Sequence, residues 1–477
     1  MASMILRCTF IHFLINSLLL ASLLLSSTSF ADELPSIGEP ADLTLSPQEE
    51  KKLGSRFFRA LQQQESILKD PELSSYIQSL GNRLNSGIGQ EPFRFFIIKD
   101  ARINAFAVPG GFIGMNAGLI LASRNEGELA GVMAHEIAHV TQRHIARFYA
   151  GSGTASWSQL GAFLAAIALA SQGEGDAAAA AFYAGSAASY QSLINHTRIH
   201  EQEADRVGIQ YLAQAGFNPG DMAGFFDVIR NKSLEADKRF EILRTHPLSE
   251  NRIAEAKSRA QQIGIHPVPS SKRYLLMKAR LIATLEQQRG LLKHLQNTQQ
   301  TLSEVDRYAF ALLLIDNRDY TAAHSQTEKL LKRDPDNIHY RLLAAQLSIA
   351  EQNYIQAEQQ LTRLLKLYPE HIASIVYYSR TLRLLKKHKE NVQLIKGVAE
   401  QNRPIELYRL LAESLNHLNE QAQSQLAQGQ YHFLSGSYRA ARLQLSAALK
   451  QKDKLTEKDK KQAKDLLELI EEEQKQR

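Results

Sequence analysis

The period of the apolar positions changes along the chain, and each change marks an element. Phe10 to Leu25 is mostly apolar, interrupted by His12, Asn16 and Ser17, and an irregular stretch with Pro35, Pro40 and Pro47 follows. Ser46 can cap a helix from about Gln48 to Gln64, and a second helix fits about Asp70 to Asn85. Phe93 to Ile98, FRFFII, is aromatic and β-branched and suits a strand. Ile103 to Val108 and Phe112 to Asn116 are two further extended runs, and Pro109-Gly110-Gly111 between them signals a hairpin. The helical period returns over about Asn125 to Tyr149, where Leu129, Val132, Met133, Ile137 and Val140 share a face. Asn125 is its cap, with Glu128 as capping-box partner. The stretch from Gly151 to Ser189 is rich in Ala, Gly and Ser. Its apolar part, Trp157 to Ala170, is too short to span a bilayer comfortably. It reads equally as a flap touching a membrane surface or as a packed pair of small-residue helices. A helix from about Ser192 to Ala215 ends at Gly216.

Further helices lead to HPVPSS, His266 to Ser271, a Pro/Ser linker and the expected domain boundary. Beyond it the chain is nearly all helical and repeats itself. Tyr320 and Tyr354 are 34 residues apart, as are Ala323 and Ala357, Leu330 and Leu364, and Pro335 and Pro369. That period and pattern resemble the tetratricopeptide repeat. Tyr438 and Ala441 repeat the pair near the end, whereas Ile372 to Gln428 is helical but degenerate. Residues from about 272 onward are expected to fold as a helical domain of their own.

Composition narrows the class. A chain of 477 residues exceeds one ordinary core, so two or three domains are expected. The net charge of +6 falls to +5 without residues 1–31, which contain only Arg7 among the charged types. So small an excess, without dense basic runs, gives no reason to expect nucleic acid as a partner. Arg7, the apolar run and the small residues Ser29 and Ala31 together read as an export signal cleaved before Asp32. Cys8, inside that signal, is the only cysteine. The mature chain therefore makes no disulfide and cannot be a thiol protease.

Chemistry concentrates in Gly131 to Thr141, GVMAHEIAHVT, where His135, Glu136 and His139 spell H-E-x-x-H. Positions i and i+4 of a helix lie one above the other, so both imidazoles can reach one metal ion. Zn²⁺ accepts imidazole nitrogen and keeps an open position when the protein supplies three ligands. Glu136 stands where it can take the proton of a water at that position. Further along, HEQEADRVG places Glu201 and Asp205 on one helical face, about 200° of turn separating Glu203 from Glu201. His196 and His200 also stand at i and i+4, but without a glutamate inside the spacing. His144, five residues beyond His139, is expected to turn away from the pair on a continuous helix.

With E-x-x-A-D about sixty residues after H-E-x-x-H and a tetratricopeptide-like tail, the chain resembles the gluzincin metalloproteases of the HtpX and CAAX-prenyl-protease type. The resemblance implies His135, His139 and Glu201 as zinc ligands and Glu136 as general base. It implies Asp205 as a polar partner of the site, usually assigned as proton donor. A later T-H-P with a downstream Arg reads RTHPLSENR here, and by resemblance His246 can approach the zinc and hold the enzyme shut. The implied architecture is mainly α. A zincin-like metalloprotease domain with a small β-sheet (32–265) follows the signal (1–31), and after the linker (266–271) comes an α-helical tetratricopeptide-repeat domain (272–477). The implied activity is zinc-dependent endopeptidase action in the periplasm, with a chaperone-like role in outer-membrane protein assembly. The implied partners are unfolded or stalled barrel proteins and, through the repeats, the β-barrel assembly machinery. A peripheral membrane contact is a further expectation. Substrate would add to the strand around Asn104 to Val108. The alternative is a chaperone or scaffold whose zinc site is structural or latent; an intact Glu136 argues against it, since a structural site needs no base.

Overall fold

A computed structural model describes residues 45–64, 66–88, 93–151, 188–233, 242–285 and 288–475. The expected export signal and the Trp157–Ala170 stretch lie outside the described residues. The helix Pro47–Gln63 begins on a capping box: Ser46 accepts from the Glu49 amide, and the Glu49 carboxylate accepts from the Ser46 amide at 2.8 Å. The helix Pro71–Asn85 is capped by Asp70. Three strands follow, β1 (Arg94–Ile98), β2 (Ala105–Val108) and β3 (Phe112–Asn116), in the spatial order β1-β3-β2. The expected hairpin is present: β2 and β3 pair antiparallel, and Gly110 and Gly111 take the left-handed backbone (φ 80° and 82°) that the turn requires. β1 pairs parallel with β3.

The sheet is buried on both faces, which is why its strands read as continuous apolar runs rather than alternating ones. Phe95, Ile97, Ala105, Ile113 and Met115 point to the core shared with Tyr76, Ile77, Leu129 and Met133. Their neighbours Phe96, Ile98, Phe106 and Val108 point the other way, onto Phe57, Phe58 and Leu61.

A short helix, Ala117–Ala122, follows the sheet, and the helix expected over Asn125 to Tyr149 differs from expectation. It runs Glu126–Thr141 and then breaks; a new helix begins at His144 and ends at Gly151. The break is Arg143, a non-glycine residue at φ 52°. Its strain is offset by tertiary contacts: the guanidinium donates to the Leu45 carbonyl at 2.6 Å and to Glu50 at 3.3 Å. At the other end Asn125 accepts from the Glu128 amide at 2.7 Å. The Glu128 carboxylate reaches one residue past the cap, to the Arg124 amide at 2.6 Å. The helix Ala188–Gln214 packs across this one. They touch at Gly208, where a Cβ would stand 3.0 Å from the His135 amide nitrogen, so a side chain there would push the helices apart.

The C-terminal part is built of antiparallel helix pairs. Tyr320 and Tyr354 each open a helix, and Ala323, Ala357 and Ala441 are wholly buried between helices. The first helix of each pair ends in a left-handed residue, at Arg318, Gln352, Lys386 and Asn419. The same turn therefore continues through the stretch whose Tyr and Pro markers have decayed. The linker is not slack: the Ser271 amide and hydroxyl both donate to Glu126 at 2.9 Å. The next helix, Lys272–Thr284, puts Tyr274, Met277 and Leu281 into the same core as Leu73, Tyr76 and Ile77.

A buried charge network crosses this junction. Arg280 donates to Glu72 at 2.7 Å and to Asp70 at 2.9 Å, and His339 Nδ1 lies 2.7 Å from the other Glu72 oxygen. Burial pushes the Glu72 carboxyl up, but Arg280 and His339 outweigh it and hold it at about 2. The folded value lies below the ordinary 4.5, so this contribution is full above pH 4.5 and is lost as pH falls towards 2. Between pH 5 and 3 the wild type is expected to lose roughly 2 kcal/mol of stability that Glu72→Gln does not lose. The variant is itself weaker at pH 7 by roughly 3 kcal/mol, because Arg280 keeps its charge and loses a partner. Scanning calorimetry of both proteins across that range checks it; equal pH slopes would remove Glu72 as the source.

Candidate metal centre

Four side chains from three segments converge. His135 and His139 come from the Glu126–Thr141 helix, Glu201 from the Ala188–Gln214 helix, and His246 follows the short helix Ile242–Thr245. One ligand-type atom of each lies within 4.8 Å of all the others. His135 Nε2 is 3.0 Å from His139 Nε2, 3.4 Å from His246 Nδ1 and 3.4 Å from Glu201 Oε2. Glu201 Oε1 is 3.4 Å from His139 Nε2 and 3.0 Å from His246 Nδ1. Four atoms around one tetrahedral zinc at 2.0–2.1 Å would stand about 3.3 Å apart. The donor set and its spacing therefore fit zinc.

The electrostatics agree. Burial presses the His135 imidazole down, but Asp205 and Glu201 outweigh it and raise it to about 10. Burial pushes Glu201 up, while His246 and His139 hold it well below the carboxylate range. The buried Glu201 and Asp205 carboxylates thus bring negative charge to the cluster, which a divalent cation would balance.

Behind the four lies a second layer. His135 Nδ1 is 2.9 Å from Asp205 Oδ1, a charge-assisted contact although the ring N–H does not point straight at the oxygen. Asp205 is gripped by Arg252, which donates through Nε at 2.7 Å and Nη2 at 2.9 Å. Arg252 Nη1 also lies 2.8 Å from Glu201 Oε2. Burial raises the Asp205 carboxyl, and His135 and Arg252 bring it below its ordinary value. Glu136 differs from all of these. It is 1% exposed, and neither carboxylate oxygen has a hydrogen-bond partner among the described residues. His246 Nε2 lies 3.4 Å from its Oε1. An ionisable group buried without partners is costly and marks a place reserved for chemistry.

All five site residues read from the sequence meet here, and His246 joins them. Glu203 sits on another face of its helix and bonds to His144 Nε2 at 3.2 Å and to Arg147 at 2.9 Å. His200 stacks on His144 instead of joining the four (ring centroids 4.4 Å, 10° between planes); the side chain of its expected partner His196 lies outside the described residues. His144 corrects the sequence reading: it does not turn away but lies with Nδ1 2.9 Å from His139 Nδ1. The helical count failed because the helix stops at Arg143, and nothing local in the sequence signals that stop. β2 is an edge strand. The Ile242 amide donates to the Ile103 carbonyl at 3.1 Å, so the segment carrying His246 sits at the start of that edge.

Comparison with known proteins agrees with this geometry. Residues 68–260 match peptidase family M48, and residues 314–375 match the tetratricopeptide repeat family. The putative beta-barrel assembly-enhancing protease of Vibrio cholerae is 34% identical over 418 residues, 86% of each chain. The beta-barrel assembly-enhancing protease of Escherichia coli is 36% identical over 345 residues, 70% of this chain and 69% of that one. The mitochondrial metalloendopeptidase OMA1 of Schizosaccharomyces pombe is 29% identical over 168 residues, 35% of this chain and 47% of the other. The chain belongs to peptidase family M48, among the beta-barrel assembly-enhancing proteases, and is a metalloprotease with a tetratricopeptide-repeat tail.

Proposed function

We propose that this chain is a zinc endopeptidase of the periplasm that cleaves stalled or misassembled outer-membrane barrel proteins and assists their assembly. The observation that carries the enzymatic part is Glu136, a buried, unpartnered carboxylate beside a four-residue cluster of zinc-ligand type. The barrel substrate comes from the names of the relatives, and the periplasmic location also from the export signal read in residues 1–31.

In this reading His135, His139 and Glu201 hold the zinc. When bound, it supplies Lewis-acid polarisation of a peptide carbonyl and makes water a better nucleophile near neutral pH. Glu136 takes the proton of the attacking water and passes it to the leaving amine. Asp205 is proposed as a positioning residue. Arg252 donates to both of its oxygens and His135 lies against one of them, so it is placed to orient His135. His246 takes the fourth position in a closed state, and its segment covers the start of the β2 edge where an extended substrate would pair. The repeats offer the surface for barrel proteins or the barrel assembly machinery.

Incubating the zinc-loaded protein with an unfolded barrel protein and with its folded form tests the proposal. Cleavage of the unfolded form alone, abolished by chelation and restored by zinc, is expected; cleavage that survives chelation would overturn it. Glu201→Gln is expected to weaken zinc binding at least about ten-fold, while Glu203→Gln, which keeps an oxygen acceptor, leaves it near wild type. Chelator competition reads both, and equal affinity in Glu201→Gln would remove Glu201 from the ligand set.

A further inference from the structure

The structure assigns His144 and Glu203 to the metal centre: we propose that they form a proton-ordered relay fixing the tautomer and the aim of His139. They are positioning residues, not ligands. The inference rests on the reading of His139 as a zinc ligand, and it adds residues on which that reading is silent.

The argument is one of forced protons. His139 Nε2 faces the cluster, 3.0 Å from His135 Nε2 and 3.4 Å from Glu201 Oε1. To bind a metal, that nitrogen must carry a lone pair, so the ring proton sits on Nδ1. His139 Nδ1 lies 2.9 Å from His144 Nδ1. Two N–H groups cannot face each other, so His144 Nδ1 accepts and the His144 proton sits on Nε2. That nitrogen is 3.2 Å from Glu203 Oε2, and a carboxylate can only accept there. Every proton in the chain from His139 to His144 to Glu203 is thereby placed.

The relay is built rather than incidental. His144 is 3% exposed, and His200 lies flat against its ring. Arg147 donates to Glu203 at 2.9 Å and keeps its carboxylate turned inward. The strained backbone of Arg143, held from Leu45 and Glu50, swings His144 back under His139. The two histidines of the motif are thus backed differently: His135 meets a carboxylate directly at Asp205, and His139 meets one through an interposed imidazole. Groups that orient a metal-bound imidazole in this way typically change metal affinity by about 10–100-fold when removed.

The test uses the full-length protein and four variants. His144→Phe keeps a ring to stack on His200 but accepts no hydrogen bond. His144→Asn places an amide oxygen close to where Nδ1 stands and restores the acceptor. Glu203→Leu removes the end of the relay, and His139→Ala removes the ligand. Zinc affinity is measured by competition with a chromophoric chelator, alongside melting of each metal-free form. The His139 Nδ1–H proton is followed by NMR of histidine-labelled, zinc-loaded protein. His144→Phe is expected to bind zinc about 10–100-fold more weakly and to lose the protected Nδ1–H signal. His144→Asn is expected to return within about three-fold of wild type and to keep the signal. Wild-type affinity in His144→Phe, or equal weakness in Phe and Asn with unchanged melting, would overturn the relay. If His144→Phe does not fold, Glu203→Leu decides: wild-type affinity and an intact signal there would overturn it equally. If His139→Ala binds zinc like wild type, the ligand reading itself fails; if it loses zinc while His144→Phe does not, only the relay fails.

Discussion

Glu136→Gln is expected to keep its zinc and to lose peptide hydrolysis by about 10²- to 10⁴-fold, the usual loss when a general base is removed. The two halves of that result have separate causes. Glu136 belongs to none of the four groups that converge in the centre, so neutralising it leaves His135, His139, Glu201 and His246 in place. Glutamine matches its size, so the packing of a helix buried from Glu126 to Ala138 is preserved. What disappears is, among the described residues, the only carboxylate beside the cluster whose oxygens are otherwise uncommitted. Zinc content by metal analysis and cleavage of an unfolded barrel protein, taken on one preparation, read both halves. A variant that cleaves at the wild-type rate would end the general-base assignment.

His246→Ala is expected to raise cleavage per mole of bound zinc, by about ten-fold or more if the closed state dominates the resting population. In the closed geometry His246 acts twice. Its Nδ1 fills the side of the cluster facing Glu201 at 3.0 Å, and its Nε2 stands 3.4 Å from the Glu136 carboxylate. Pro247 restricts the backbone of His246, and the Ile242 amide anchors the segment to Ile103 beside the edge strand. Removing the imidazole leaves three ligands and frees the base. If His246 only packs against the metal helix, its loss lowers stability and leaves activity per zinc flat or reduced. A fall in that ratio would sink the brake.

The parts of this molecule legible in its sequence are those whose physics is local. Two short extended runs and the Pro-Gly-Gly turn between them located the hairpin, because strand propensity and the left-handed turn are properties of a few residues. His135, Glu136 and His139 were legible because one helical turn brings two imidazoles together; the same turn put Glu201 and Asp205 on one face, and the family resemblance of E-x-x-A-D implied their place in the site. Arg143 was not legible. A left-handed arginine is costly by itself, and it persists here because Leu45 and Glu50, about a hundred residues away, hold its guanidinium. That break carries His144 into the site against the helical count. Likewise the Pro/Ser linker reads as a boundary, yet Ser271 is bound to Glu126, and Arg280 is bound to Asp70 and Glu72. Such pairings join segments far apart in the chain and leave no periodic trace. In the degenerate repeats the Tyr and Pro markers have gone, while the turn they accompany persists at Lys386 and Asn419.

The most direct measurement of the central claim is zinc K-edge X-ray absorption on the zinc-loaded wild type and on His246→Ala. The account predicts a four-coordinate zinc with nitrogen and oxygen at about 2.0–2.1 Å, no sulfur, and three imidazoles in the wild type. It predicts two imidazoles in His246→Ala, with an oxygen replacing the third. A zinc with fewer than two imidazoles, or an imidazole count that does not change when His246 is removed, would contradict it.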